Sequence, residues 1–220
     1  MQGYAEGNGA DALFREMSGL AQLDGYYIIV DRYNQCLRKI QLESAETSQR
    51  QWKTAKFAGI CQKSGDIDGR REIAKFSYPT DLLLQGNKLY LTDYRNRKIK
   101  TIDLNTDFVT TVHQSEDFYS FHFAAGTKGD FYITTGFGIL HIQNQKETWL
   151  VGSATRQSDF SNSKFSSAGF VWPRDIQWLD ENNLVVTDRN TVRVINLQLA
   201  QVHTICTGKL KLDLPVIEIV

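Results

Sequence analysis

The chain has 220 residues, of which 41% are apolar, and carries 25 Lys and Arg against 25 Asp and Glu, for a formal net charge of zero. This apolar content excludes wholesale disorder, and the lack of basic excess argues against a dedicated nucleic-acid binder. No segment approaches the roughly 20 apolar residues of a membrane span, and Cys36, Cys61 and Cys206, odd in number and far from CxxC spacing, predict small buried or half-buried thiols rather than a disulfide framework or a metal knot.

Read in chain order, Met1–Tyr4 lacks the basic and then apolar pattern of a leader, and residues 1–14 read as a connector with Gly3, Gly7 and Gly9. The run YYIIVD (26–31) is apolar, β-prone and six residues long, as a strand buried on both faces should be. An alternating pair, Ile40 and Leu42, marks the next strand, and TAKFAG (54–59) a further one. Glu43–Arg50 between them reads as a short polar helix or a loop insertion. The same series returns at KLYLTD (88–93), Ile102/Leu104 and FVTTVH (108–113), then in weaker form at DFYITT (130–135) and TWLVG (148–152), and again at NLVVTD (183–188), Ile195/Leu197 and VHTICTG (202–208). The tail, residues 209–220, reads as a closing strand or the start of another unit.

The recurrence is the main signal, because a fixed period marks a repeat architecture. Residues 2–42 align without a gap on residues 64–104 at a constant offset of 62: Gly7 on Gly69, Ala12 on Ala74, Phe14 on Phe76, Leu20 on Leu82, Asp31 on Asp93 and Asn34 on Asn96. A third copy spans about Ala168–Leu197, where Ala168, Phe170 and Pro173 match Ala74, Phe76 and Pro79. A fourth, degenerate copy spans 117–143, with Thr135 in place of the Asp. Its pattern G-x-x-x-x-A-x-F-x-x-P followed by L-Y-x-T-D-x-x-N-x-x-I-x-x-I, fullest in Gly69, Ala74, Phe76, Pro79, Leu89-Tyr90, Thr92-Asp93, Asn96, Ile99 and Ile102, resembles the NHL repeat. The resemblance covers roughly residues 3–208 and implies an all-β fold. That fold is a β-propeller of four-stranded antiparallel blades near 16–58, 77–114, 119–152 and 171–207, in one domain, as a four-bladed ring or as part of a larger propeller.

The repeats also single out candidate residues. Asp31, Asp93 and Asp188 recur at one position and could suggest a metal ring, but a carboxylate that ties up backbone N–H groups in the following turn explains the recurrence better. Asn34, Asn96 and Asn190 read the same way. Arg32, Arg95 and Arg189 follow the aspartates and, with Tyr33 and Tyr94, would lie on one face of the disc, where they could receive an acidic peptide or single-stranded RNA; solvated surface charge is the plainer reading. Arg38, Lys39, Lys98, Lys100 and Arg193 read as solvent-facing. His122, near the expected axis, stands out among His113, His122, His141 and His203, although no repeated ligand accompanies it. Trp52, Trp149, Trp172 and Trp178 read as blade packing. No G-x-S-x-G elbow or phosphate-cradling Gly loop is present.

No catalytic residue, metal or cofactor is assigned on this reading. The expected function is a non-catalytic recognition scaffold for a protein or peptide. The resemblance also admits RNA binding or a propeller enzyme with an axial site, since fold does not determine function. Compartment and oligomeric state are left open.

Overall fold

In a computed structural model of the chain, residues 3–43, 51–115, 122–126, 129–152 and 162–207 are described. The expected segments Glu43–Arg50, apart from Glu43 itself, and 209–220 fall outside them. The protein is all-β, a four-bladed β-propeller whose antiparallel sheets follow one another in ring order. Blade one holds β1 (Gly7–Asn8), β2 (Met17–Leu23), β3 (Tyr26–Asp31), β4 (Cys36–Glu43) and β5 (Gln51–Ala58). Blade two holds β6 (Gly69–Arg70), β7 (Pro79–Gln85), β8 (Lys88–Asp93), β9 (Lys98–Asp103) and β10 (Phe108–Gln114). Blade three holds β11 (Phe123–Ala125), β12 (Phe131–Thr134), β13 (Gly138–Gln143) and β14 (Lys146–Gly152). Blade four holds β15 (Ser163–Lys164), β16 (Pro173–Trp178), β17 (Asn183–Asp188), β18 (Thr191–Asn196) and β19 (Gln201–Thr207). Among the described residues, three blades gain a fifth, two-residue strand, because β1, β6 and β15 in the connectors pair with the outermost long strand.

The strands β2, β7, β11 and β16 are innermost. Around the axis β2 packs on β7, β7 on β11, and β11 on β16. The approach of β2 to β7 is close enough that a Cβ on Gly19 would lie 2.8 Å from the Asp81 Cα. Among the described residues, the apolar faces of neighbouring blades meet in three cores. Ala21, Ile28 and Val30 of blade one meet Leu82, Leu89 and Leu91 of blade two. Leu83, Tyr90 and Ile99 of blade two meet Phe123, Ile133 and Leu140 of blade three. Ala124, Tyr132 and Ile139 of blade three meet Ile176, Leu184 and Val186 of blade four. Among the described residues, no strand of blade four packs on blade one as β7 packs on β2.

Two expectations are corrected here. Cys36 and Cys61 form a disulfide with Cα atoms 5.0 Å apart, and Cys206 is an exposed thiol. The antiparallel pairing of Leu37 with Ala58 brings the start of β4 beside the chain leaving β5, so two cysteines distant in sequence become neighbours. Arg38, Lys100 and Arg193 do not face solvent; each is fully buried.

Candidate functional site

Each of those buried cations sits in a latch beside its repeat aspartate. The Asp31 carboxylate accepts from the Arg15 backbone N–H at 2.8 Å and from the Asn34 side chain at 2.9 Å, and pairs with Arg38 at 3.2 Å. Arg38 also donates to the Ala5 and Leu13 carbonyls of the connector and lies over the Tyr4 and Phe14 rings. In blade four Asp188 accepts from the Trp172 N–H at 2.7 Å and pairs with Arg193 at 3.6 Å. Asp93 accepts from the Ser77 N–H at 2.6 Å and from Asn96 at 2.8 Å. The three carboxylates are therefore structural, and most of the N–H groups they hold precede the innermost strand rather than follow the aspartate. Asn190 lies exposed in the shorter turn of blade four.

Blade two differs in one respect. The Lys100 ammonium is drawn to Asp66 at 2.7 Å and Asp68 at 2.6 Å. Burial pushes the Asp93 carboxyl up to about 7, against the hydrogen bonds from Ser77 and Asn96. At Asp66 burial acts in the same upward sense, but hydrogen bonds from Lys100 and Lys98 outweigh it and hold that carboxyl below its ordinary value.

The latches set the residues beyond them at one end of the propeller, because Met17 pairs with Asp31, Pro79 with Asp93 and Pro173 with Asp188. Short 3-10 turns at Arg32–Asn34 and Tyr94–Asn96 present four of the predicted residues. Arg32 lies over the Tyr33 ring at 5.9 Å and the Tyr94 ring at 5.6 Å, and Arg95 covers Tyr78 at 3.8 Å. Tyr33 and Tyr78 meet edge to face at 5.2 Å, and Arg15 caps Tyr33 at 5.4 Å. The outcome is a ladder, Arg15–Tyr33–Tyr78–Arg95 with Arg32 and Tyr94 beside it, that crosses the seam between blades one and two. Glu16 is an acidic neighbour, 2.7 Å from Arg32. Arg15, Tyr33 and Arg95 are exposed.

Of the remaining predicted residues, Arg189 stands exposed in the equivalent turn of blade four, its N–H bonded to the Trp172 carbonyl. Trp172 is 47% exposed and is covered by Arg174 at 5.2 Å. Trp52 is also exposed, at 42%, whereas Trp149 and Trp178 pack between blades. His122 comes before β11, its Nδ1 3.4 Å from Asp81; Asp81 also accepts from the Phe123 N–H across the blade seam. His113 and Ser115 both bond Glu147, at 2.6 and 3.2 Å. His141 bonds Asp130 at 2.7 Å. Among the described residues, no cluster of three His, Cys, Asp or Glu side chains is placed to hold a metal ion, and no helix is long and apolar enough to cross a membrane.

Sequence reasoning missed Arg15, Tyr78 and Asp81. The signal for Tyr78 was the aromatic residue placed before the repeat proline, as in Tyr78-Pro79 and Trp172-Pro173.

The geometry defines a β-propeller with one basic, aromatic end face, and comparison with solved structures agrees on the fold. Virginiamycin B lyase from Staphylococcus aureus is 14% identical, with 86% of this chain covering 54% of that one at a TM-score of 0.55. Its catalytically inactive histidine-to-alanine variant with quinupristin is 14% identical, with 91% covering 58% at 0.56. A protein of unknown function from Bacteroides thetaiotaomicron is 13% identical, with 92% covering 60% at 0.51. The chain thus spans a little over half the length of these propellers. No protein-family model matches it, and no curated protein matches it in sequence.

Proposed function

We propose that the chain is an NHL-type propeller acting as a recognition scaffold, with the end face of blades one and two receiving an acidic segment of a partner protein. The observation that carries this reading is the arginine–tyrosine ladder. Arg15, Arg32 and Arg95 lie on tyrosine faces, which fixes their positions; Arg32 is paired with Glu16, and the exposed Arg15 and Arg95 can fork N–H groups onto carboxylates. Tyrosines held in this way supply contact area at low entropic cost. Affinity capture from source extract, with and without nuclease, tests it. A protein retained after nuclease by the native chain and lost by Arg32→Glu/Arg95→Glu supports the scaffold. Capture that collapses with nuclease while RNA is enriched replaces the partner with RNA.

A second reading rests on the Asp81–His122 contact at the innermost strands, where a carboxylate beside an imidazole is an acid–base pair. The lyase is a propeller whose histidine variant is inactive, which gives this reading its weight. Turnover of quinupristin by the native chain, abolished in His122→Ala, would move the assignment from scaffold to enzyme; no turnover leaves the scaffold reading in place.

A further inference from the structure

We propose that the Cys36–Cys61 disulfide is a redox-controlled clamp on the arginine–tyrosine ladder: a dithiol reductant loosens the seam between blades one and two and weakens the hold on an acidic segment. This inference rests on the ladder being the recognition surface. Arg32 and Tyr33 stand in the turn Arg32–Asn34, and Gln35 joins that turn to Cys36. Gln35 is buried. Its side-chain oxygen accepts from the Tyr78 backbone N–H at 2.6 Å across the blade seam, and its side-chain amide donates to the Tyr33 carbonyl at 3.4 Å. The residue beside the disulfide thus holds the backbone of both tyrosines that meet edge to face.

The other end of the bond is fastened to the same place. The chain leaving β5 passes Gly59, where a Cβ would lie 3.0 Å from the Phe76 ring and 3.2 Å from the Gln35 carbonyl oxygen. Gln62, next to Cys61, donates its backbone N–H to the Asn34 carbonyl at 2.6 Å. Further along, the Ser64 and Ser77 hydroxyls share a hydrogen bond of 2.8 Å, and the Gly65 N–H reaches the Phe76 carbonyl at 3.0 Å. The disulfide therefore ties the turn that carries Tyr33 to the connector that braces the residues just before Tyr78. Gln35 and Gln62 both hold left-handed backbone, with φ of 61° and 65°. That conformation costs free energy in a residue with a side chain and persists only while its surroundings enforce it.

The repeat itself does not require the bond. At the offset of 62 Cys36 falls on Lys98, and blade two makes the same turn, with Arg97 left-handed, without a disulfide. What sets the blade-one turn apart is the ladder that it presents. Cys36 is wholly buried and Cys61 half-buried, which directs an incoming thiolate to the Cys61 sulfur. That attack forms a mixed disulfide and releases Cys36 as a thiolate, which takes up a proton. The second thiol of the reductant then displaces Cys61, leaving two protein thiols and a cyclic disulfide, with two electrons passed to the protein. The connector is then held to the turn by noncovalent contacts such as Gln62 to Asn34, and Tyr33 and Tyr78 lose their fixed spacing.

Calorimetric binding of a polyglutamate peptide to the native chain, before and after treatment with dithiothreitol, tests the proposal, with hydrogen exchange at the Tyr78 and Gln62 amides as a second measurement. Reduction should weaken binding by about tenfold, the order expected when one or two interface side chains lose their preorganisation. It should also speed exchange at both amides, leave the circular dichroism spectrum unchanged, and be reversed by oxidised glutathione. The Cys36→Ser/Cys61→Ser chain should bind as the reduced chain does and ignore the dithiol. Equal affinity in the oxidised and fully reduced chains overturns the clamp and leaves the ladder standing. Loss of affinity with exchange at Tyr78 unchanged overturns the route through the seam. Unfolding on reduction overturns the clamp as well, because the bond is then a general staple. An oxidised chain that does not bind polyglutamate sinks the ladder itself, and the clamp with it.

Discussion

At the scale of residues, the repeat aspartate and its buried cation explain why the blades hold their connectors. Arg38 satisfies a buried carboxylate and two connector carbonyls together, so its loss strands an unpaired buried charge. Arg38→Met should lower unfolding stability by about 3–5 kcal/mol, while Arg189→Met, at an exposed position in the equivalent turn of blade four, should change it by no more than about 0.5 kcal/mol; urea denaturation separates the two. Asp93 gives a test by pH. Its folded-state value, about 7, is raised above the ordinary carboxyl value, so its contribution is fully favourable below that ordinary value and declines as pH rises through 7. The stability of Asp93→Asn relative to the native protein should therefore improve between about pH 4 and 7 and level off above; a flat difference across that window would contradict the assignment. The recurrence of Arg38, Lys100 and Arg193 beside the aspartates was visible in the sequence. A lone cation in a strand nevertheless reads as solvent-facing until the connector that covers it is seen, and that covering is tertiary.

At the scale of elements, strands were legible because apolar runs and Ile/Leu alternation record burial directly. The Cys36–Cys61 bond was not, since it depends on the register of β4 against β5 and on the path of the chain after Ala58. It anchors the outer part of blade one to the connector of blade two. Thiol titration of the unreduced, denatured chain should find one group, Cys206, and three after reduction. Cys61→Ser should cost about 3 kcal/mol, as expected for a closed loop of moderate length. Equal thiol counts before and after reduction would show that the bond is absent.

For the whole molecule, the repeat revealed the propeller and the direction of the candidate face, because an offset held over some 40 residues requires equivalent turns at one end. It did not reveal which arginines act together. Arg32, Tyr33, Tyr94 and Arg95 were read from the repeat turns and do converge, with Tyr78 and Arg15 completing the ladder. Arg189 shares their repeat position but stands in blade four, outside the ladder.

That difference between Arg95 and Arg189 gives the most direct measurement: quantitative capture of nuclease-resistant protein partners by the native chain, Arg95→Glu and Arg189→Glu. If the ladder is the recognition surface, Arg95→Glu loses the partner by tenfold or more, on the order of 1.4 kcal/mol, and Arg189→Glu retains it. Equal retention by both variants would contradict the account.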